Sequence, residues 1–178
     1  MRIPLDDELA MYTYERTTQE DLLFYRWWAR MSTDGDLDRV FLKSEHTPGA
    51  FMALLRKQVI VLYALDSVGE VYIAAWIDFF MSLPSVSLWV RSDHRKSRGA
   101  ARLVSYIYSH VFKHVNTVVG ITKQEKLIKS HRHMGYEVVG KIPGLWDGED
   151  AWVVVLEKSK YRYLIEDLPD PSSTKLYA

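Results

Sequence analysis

The sequence contains no cysteine among its 178 residues. Disulfide bonds, thiolate metal sites and a cysteine nucleophile are therefore excluded, and the absence fits a cytoplasmic protein. Neither sign of charge is in excess, because 23 basic residues balance 23 acidic ones. Proteins that bind nucleic acids usually carry a clear basic excess, so we expect no nucleic-acid partner.

Long apolar runs are also missing, since none approaches the ~18 residues of a membrane-spanning helix. The two most apolar stretches, residues 59–65 and 71–81, are separated by DSVGE, which is typical of a hairpin turn. The first residues lack the basic-then-apolar pattern of a secretory signal. We therefore expect no membrane partner and a cytoplasmic location. One domain is expected over residues 1–167 and a flexible tail over residues 168–178.

What the sequence does contain is a series of strand-like and helix-like patterns. Strands are predicted at residues 11–18, 58–65, 70–81, 85–91, 116–122, 136–142 and 150–158. Longer helices are predicted at residues 18–32, 47–57, 99–115 and 123–134. Thr18, with Asp21 three positions later, is predicted to cap the first helix, and Gly135 to end the fourth. This order predicts an α/β (mixed α+β) domain whose twisted mixed sheet has six to seven strands flanked by helices.

The stretch SDHRKSRGAARLV, residues 92–104, places four basic side chains around Gly99 between a strand and a helix. A glycine turn that opens a helix can bind phosphate, because the first helical N–H groups lack internal partners and the helix dipole is positive there. Basic residues at this end interact unfavourably with the helix dipole and destabilise the helix by a few tenths to ~1 kcal/mol, unless a bound anion compensates. Either a solvated turn or an anion cradle fits the pattern, and the opposed dipole favours the cradle.

The segment VSLWVRSDHRKSRGAARLVSYIYSHVF resembles the acetyl-CoA pyrophosphate motif of the GNAT acyltransferase superfamily. The usual motif is Gln/Arg-x-x-Gly-x-Gly/Ala, and Lys96 to Ala101 correspond to it. The segment KQEKLIKSHRHMGYEVVGKI resembles a later helix of the family, with Gly135 and Tyr136 in the place of its Gly-Phe pair. This resemblance covers about residues 11–158. It implies a GNAT-like domain that binds acetyl-CoA and passes the acetyl group directly to an amine in a ternary complex.

The resemblance also implies where the cofactor would lie. The backbone near Val90 would donate to the carbonyl oxygen, and Gln124 stands where the family often has asparagine. The implied cofactor-binding residues are Val90, Arg95, Lys96, Ser97, Arg98, Gly99, Ala100, Ala101 and Gln124. No metal site is predicted.

Transfer to an amine requires a base for the amine and an acid for the thiolate. His131 stands where the family often has tyrosine and could be the acid; a solvated histidine on a polar helix is the alternative. Asp78 is the only acid in the apolar strands and is the candidate base, with a structural arginine partner as its alternative. We expect Asp78, His131 and Tyr136 to line one cleft, with Asp78 on the same side of the sheet as His131 if it is the base.

Two functions from different classes stay open. The first is an N-acyltransferase with a small-molecule or peptide amine as acceptor. The second is a non-enzymatic GNAT-like protein for binding or assembly, because the chain also looks similar to GNAT-like proteins of tailed phages in its variant phosphate loop. The small residues Gly99, Ala100 and Ala101 at the helix start favour the first function. The lack of carboxylates in residues 85–91 and 117–122 favours the second. A homodimer is left open.

Overall fold

The computed structural model describes residues 2–4, 10–58, 60–80, 82–95 and 98–165, and the side chains of residues 2–4, 98 and 99 are not described. The predicted C-terminal tail, residues 168–178, lies outside these ranges, as do Lys96 and Ser97 of the basic turn.

Eight strands and five α-helices occur in the described residues. The strands are β1 (Arg2–Pro4), β2 (Ala10–Thr13), β3 (Ile60–Leu65), β4 (Val71–Phe80), β5 (Leu83–Val90), β6 (Thr117–Thr122), β7 (Glu137–Trp146) and β8 (Glu149–Glu157). The helices are α1 (Thr18–Thr33), α2 (Leu37–Val40), α3 (Pro48–Lys57), α4 (Arg98–Val111) and α5 (Glu125–Met134). The seven predicted strands and the four longer predicted helices are all present. The sheet has one strand more than expected, the three-residue β1.

The strands form one mixed sheet in the order β1-β2-β3-β4-β5-β6-β8-β7. Every neighbouring pair is antiparallel except β5 and β6, which are parallel. These two strands share a single point of register, Ser85 with Val119. The remainder of β5 therefore runs beside β6 without sheet pairing, and this opening positions the site described below.

Each face of the sheet carries its own buried core. On the face covered by α4 and α5, here the α4 face, the core includes Leu103, Ile107 and Ile128. On the opposite face, here the α1 face, α1 and α3 bury an aromatic cluster. Its large side chains are Phe24, Trp27, Phe41, Phe51, Trp76 and Trp89. Such aromatic contacts, for example the 5.5 Å between the rings of Trp27 and Trp89, fix the strand that borders the opening.

The cap of α1 differs from the prediction by one residue. Thr17, not Thr18, is the N-cap, and Glu20 completes the capping box by accepting from the Thr17 backbone. Asp21 instead accepts from the Tyr14 hydroxyl at 2.5 Å and pairs with Arg56. The carboxylate of Asp21 thus has tertiary partners, which leaves the cap to its neighbour.

The connection between β7 and β8 is shorter than predicted. The predicted strands ended at residue 142 and resumed at residue 150, but β7 continues to Trp146 and a two-residue turn follows. Asp147 and Gly148 have φ of 52° and 84°, the left-handed geometry that Asp-Gly hairpin turns adopt. The long hairpin carries its turn to the edge of the site.

Gly135 ends α5 as predicted, with φ of 106°. A Cβ atom at this position would lie 2.1 Å from the carbonyl oxygen of Lys160. We expect Gly135→Ala to destabilise the fold by at least ~2 kcal/mol, because it combines left-handed strain with a clash against backbone. Denaturant unfolding measures the effect. Gly140→Ala is the matched control, since no atom lies within 4 Å of its added Cβ; equal losses in both variants would contradict the prediction.

Candidate active site

The backbone of β5 presents unused hydrogen-bonding groups to the opening beside β6. The N–H of Arg91 donates to the carbonyl of Tyr72 at 2.9 Å, so this pair bonds directly across β4 and β5. Because the pattern alternates along an antiparallel pair, Val90, Leu88 and Val86 direct their N–H and C=O groups away from β4. These groups face β6. Val86 adjoins the parallel bridge of Ser85 and Val119, whereas Leu88 and Val90 lie beyond it and do not pair with β6.

The same alternation explains why Pro84 is tolerated inside β5, where an interruption was expected. Pro84 lies opposite Phe79 in the register of β4 and β5 and belongs to the set that points away from β4. Its missing N–H is therefore not needed by the β4 ladder.

A cavity of about 1350 Å³ passes through the opening and reaches both faces of the sheet. On the α4 face it is lined by the first turns of α4, by Tyr108 and by α5. On the α1 face it is lined by Trp76, Asp78 and Trp89, and it extends to Trp146 before the β7–β8 turn. The cavity therefore joins the start of α4 to a pocket on the α1 face that is lined by α2, the segment after it and Leu54 of α3.

The predicted cofactor-binding residues cluster at the α4 end of this cavity. Val90, Arg95, Ala100, Ala101 and Gln124 line it. Ala100 is buried, whereas Ala101 is exposed. Arg98 and Gly99 form the first residues of α4, as the sequence predicted, but their side chains are outside the described set.

Arg95 is bound by other groups of the protein rather than held free at the turn. Its Nε donates to the carbonyl of Val90 at 2.9 Å, and its Nη2 donates to both carboxylate oxygens of Asp36 at 2.9 and 3.0 Å. Asp36 is 1% exposed and also accepts from Trp89 Nε1 and Arg39 Nη1, each at 3.0 Å. Sequence reasoning missed Asp36, because DGDLD is typical of a solvated turn.

His131 sits on α5 beside Tyr136, with ring centroids 5.0 Å apart. Its Nδ1 lies 2.9 Å from the carbonyl oxygen of Leu127. A carbonyl only accepts, so Nδ1 carries the hydrogen and Nε2 of the neutral ring is an acceptor. Burial lowers the pKa of His131, with the Leu127 carbonyl acting in the opposite direction. The neutral form therefore predominates at pH 7.

Tyr136 is buried over β6, and its hydroxyl lies 2.7 Å from that of Tyr108. Burial raises the pKa of Tyr136 well above its usual value and that of Tyr108 to about 12, so both stay protonated. Gly120 lies against this ring and Val154: an added Cβ would be in ordinary contact with Tyr136 Cε1 at 3.6 Å and in tight contact with a methyl of Val154 at 3.0 Å.

Asp78 alternates with Trp76 along β4 and therefore lies on the α1 face. Ser85, opposite it on β5, hydrogen-bonds to its carboxylate, yet burial raises the pKa of Asp78. Burial also raises the pKa of Glu45, and the carboxylates of Asp78 and Asp147 add to the effect. Among the described residues, neither Glu45 nor Asp78 has a lysine or arginine in a salt bridge; Glu45 accepts from the Leu42 N–H at 2.8 Å and Asp78 from Ser85.

The three candidate catalytic residues line one cavity but not from one side. Asp78 reaches it from the α1 face, whereas His131 and Tyr136 belong to the α4 face. The expectation that Asp78 and His131 share a face is therefore wrong. The alternation of side chains along β4 puts Asp78 on the α1 face. The opening between β5 and β6 lets residues of both faces line the same cavity.

The far end of the cavity is closed by a contact between distant parts of the chain. The backbone N–H of Lys43 donates to the Asp147 carboxylate at 2.8 Å. This bond holds the segment between α2 and α3 against the β7–β8 turn, next to Glu45 and Trp146. Both segments thereby contribute walls to the pocket on the α1 face.

No group of three or more His, Asp or Glu suited to a metal ion occurs within the described ranges. In the same ranges, no helix is both long and apolar enough to cross a membrane.

The fold is similar to solved structures of N-acetyltransferases. A ribosomal-protein alanine acetyltransferase from Vibrio fischeri aligns with a TM-score of 0.67 at 12% identity, over 91% of this chain and 99% of that one. A spermidine N-acetyltransferase from Vibrio cholerae, solved with CoA and spermine, gives 0.64 at 11% identity, over 88% and 99%. A GNAT phosphinothricin acetyltransferase from Sinorhizobium meliloti, solved with acetyl-CoA, gives 0.59 at 15% identity, over 92% and 96%. The chain therefore has the GNAT fold, and the predicted fold class is confirmed.

At the level of sequence, no family model matches the chain. No curated protein matches it either. The similarity to GNAT structures thus lies in the fold, and the function has to be argued from the cavity. The looser similarity to phage proteins stays a prediction.

The two acids of the cavity predict an unusual stability profile. A carboxyl group whose pKa is raised in the folded state contributes stability at low pH, and this contribution is lost as the pH rises through the raised pKa. Glu45→Gln and Asp78→Asn should therefore raise the melting temperature at pH 7 but not at pH 3. Each kcal/mol relieved corresponds to about 2–4 °C for a chain of this size.

Asp150→Asn is the control for these variants, because Lys141 lowers the pKa of Asp150. Replacing the Asp150 carboxylate should therefore not raise the melting temperature at pH 7. Thermal melts of the four proteins at both pH values measure the profile, and a lower melting temperature for Glu45→Gln and Asp78→Asn at pH 7 would contradict it.

Proposed function

We propose that the protein is an N-acetyltransferase that moves an acetyl group from acetyl-CoA to an amine. The observation that carries this proposal is the cavity through the opening between β5 and β6. It joins the start of α4, suited to phosphates, to a pocket that holds two carboxylates. An acyl donor entering from one face and an amine entering from the other would meet at the opening.

The residues at the opening fit an acetyl-CoA molecule. Its pantetheine arm carries amide groups, and the outward N–H and C=O groups of β5 need such partners. The start of α4 offers helical N–H groups to the phosphates, and the small side chains of Ala100 and Ala101 leave the approach open. When bound, acetyl-CoA supplies an activated acetyl group: the amine nitrogen bonds to the carbonyl carbon, the C–S bond breaks and the thiolate leaves.

The N–H of Val90 is proposed as the donor to the carbonyl oxygen. It belongs to the β5 groups that face the opening, so it would stabilise negative charge that develops on that oxygen. Val90 lines the cavity, as the proposed role requires.

Asp78 is proposed as the base that takes the proton of the attacking amine, although the sequence-based prediction required the base to share a face with His131. That requirement is replaced by a common cavity, which residues of both faces line. Its position on the α1 face puts it on the acceptor side, and Glu45 beside it adds negative charge. Protonated amines are attracted to such a pair, and a base with a raised pKa accepts a proton more readily. The acceptor favoured by this end is a small-molecule or peptide amine that carries positive charge.

His131 is not proposed as the acid, although the sequence made it the candidate. Its Nδ1–H is directed to Leu127, its Nε2 has no hydrogen in the neutral ring, and its pKa is lowered. A thiol has an ordinary pKa of about 8.5, so the thiolate leaves without an obligatory protein acid and takes its proton from solvent.

Cofactor binding is tested first by Gly99→Glu, a change that adds bulk and negative charge at the start of α4. Charge-assisted hydrogen bonds contribute about 1.5–3 kcal/mol each, so the affinity for acetyl-CoA should fall at least ~10-fold. Calorimetric titration and a thermal melt measure affinity and folding together. Gly140→Glu, on β7 and away from the cavity, should bind like the wild type. A wild type without binding at millimolar acetyl-CoA would contradict the proposal.

Turnover is tested over a panel of diamines, monoamines and amino acids, with thiol release as the readout. The rate constant kcat/KM should be highest for amines with a second positive charge. It should rise with pH through the raised pKa of Asp78, because the base must be ionised. Asp78→Asn should lower kcat at least ~100-fold, the usual scale for a general base.

His131→Gln is the matched control for the pH profile. If His131 were the acid, kcat/KM would fall as the pH rises through its lowered pKa, below pH 6.5. We expect His131→Gln to keep the pH profile of the wild type. A falling limb that disappears in His131→Gln would show that His131 acts as an acid after all.

The alternative function, a GNAT-like binding protein without catalysis, is favoured by one observation. Asp78 is the only carboxylate that β4, β5 and β6 contribute to the cavity. Tight acetyl-CoA binding without thiol release from any amine of the panel would support that alternative over the enzyme.

A further inference from the structure

Asp36 is the most buried charged side chain of the cavity, and the proton transfer proposed above does not use it. Asp36 directly precedes α2, but its carboxylate makes no capping hydrogen bond to that helix. Its position is fixed from the other side: Gly35 is left-handed with φ of 67°, and the Asp36 N–H donates to the Met31 carbonyl at the end of α1. The backbone thus directs the carboxylate inward, toward β5.

The inward carboxylate meets three donors from different elements. Trp89 donates from β5, Arg39 from α2 and Arg95 from the turn after β5. Trp89 is itself a residue of β5, and Arg95 reaches the backbone of the same strand through Nε to the Val90 carbonyl. The planar guanidinium makes both contacts at once, which a lysine ammonium cannot reproduce.

The Val90 carbonyl is an atom whose orientation matters. The same peptide group carries the N–H of Arg91, which donates to the Tyr72 carbonyl, so β4 restrains this peptide from one side only and β6 does not pair with it. Residue 90 is also the last of β5, where the strand gives way to the basic turn. The bond from Arg95 therefore supplies a second restraint, on the open side of β5.

We propose that Asp36 is a positioning residue, which acts through Arg95 to hold the end of β5 so that the Val90 N–H faces the opening. On this proposal Arg95 is a brace and not a phosphate ligand, contrary to what the sequence suggested. The catalytic consequence rests on the proposed acetyltransferase function, whereas the structural consequence does not.

The first test uses the protein without any ligand. In ¹H–¹⁵N NMR spectra, Asp36→Asn and Arg95→Lys should shift the amide signals of Val90 and Arg91 and speed the hydrogen exchange of the Arg91 amide, which bonds Tyr72, at least ~10-fold. Arg39→Ala is the matched control, because Arg39 bonds the same carboxylate but does not touch Val90. It should leave both amides unchanged. Unchanged amides in Asp36→Asn would overturn the proposal, whatever the protein catalyses.

The second test separates a brace from a phosphate ligand. If Arg95 is a brace, Arg95→Lys and Arg95→Ala should both lower kcat at least ~10-fold and change the calorimetric Kd for CoA less than ~3-fold. The expected loss of kcat is at most about 100–1000-fold, which is the effect of removing one oriented hydrogen-bond donor from an oxyanion site. The Asp36→Asn variant should behave like Arg95→Lys.

A phosphate ligand predicts the opposite results. Arg95→Ala would then weaken CoA binding in a salt-dependent way, Arg95→Lys would keep kcat, and Asp36→Asn would tighten binding by releasing the guanidinium. Any of these would overturn the brace. If the wild type neither binds CoA nor releases thiol, the proposed function fails by itself, and the amide spectra of the free protein still decide the role of Asp36.

Discussion

The parting of β5 and β6 after Ser85 and Val119 is the constraint on which the site depends. Strands that separate leave backbone groups without partners, and buried groups of this kind are rarely tolerated. Here the separation is supported from both sides, by an aromatic core under α1 and α3 and by an aliphatic and tyrosine core under α4 and α5. The unused edge of β5 is then available to a ligand, except at Val90, whose carbonyl Arg95 already satisfies.

The two ends of the cavity differ in charge. The start of α4 is basic and dipolar, whereas Glu45 and Asp78 at the other end lack cationic partners among the described residues. Asp36 lies between them and is neutralised by Arg39 and Arg95. Glu45 and Asp78 are half-buried, and burial together with the nearby Asp78 carboxylate raises the pKa of Glu45, so this end of the cavity is the one that a cationic group would compensate.

The sequence was sufficient for the strands, the longer helices and the glycine that ends α5, because these follow from local periodicity and backbone preference. It was insufficient where tertiary partners decide. Asp21 was expected in a capping box but pairs with Arg56, and Asp36 resembled a turn residue but bonds Arg95, 59 positions away. The face of Asp78 follows from its register with β5 and its alternation with Trp76, which no local pattern reveals.

The bond between Lys43 and Asp147 joins residues that are 104 positions apart. During synthesis at about 5–20 residues per second, the segment after α2 therefore waits roughly 5–20 s for the hairpin that completes its pocket. Through part of that time β5 is an unpaired edge, because β6 and β8 have not yet been made. The pocket that holds the two acids is thus completed only when the β7–β8 hairpin has been made, and a nascent chain carries its aromatic walls before it has the turn beside them.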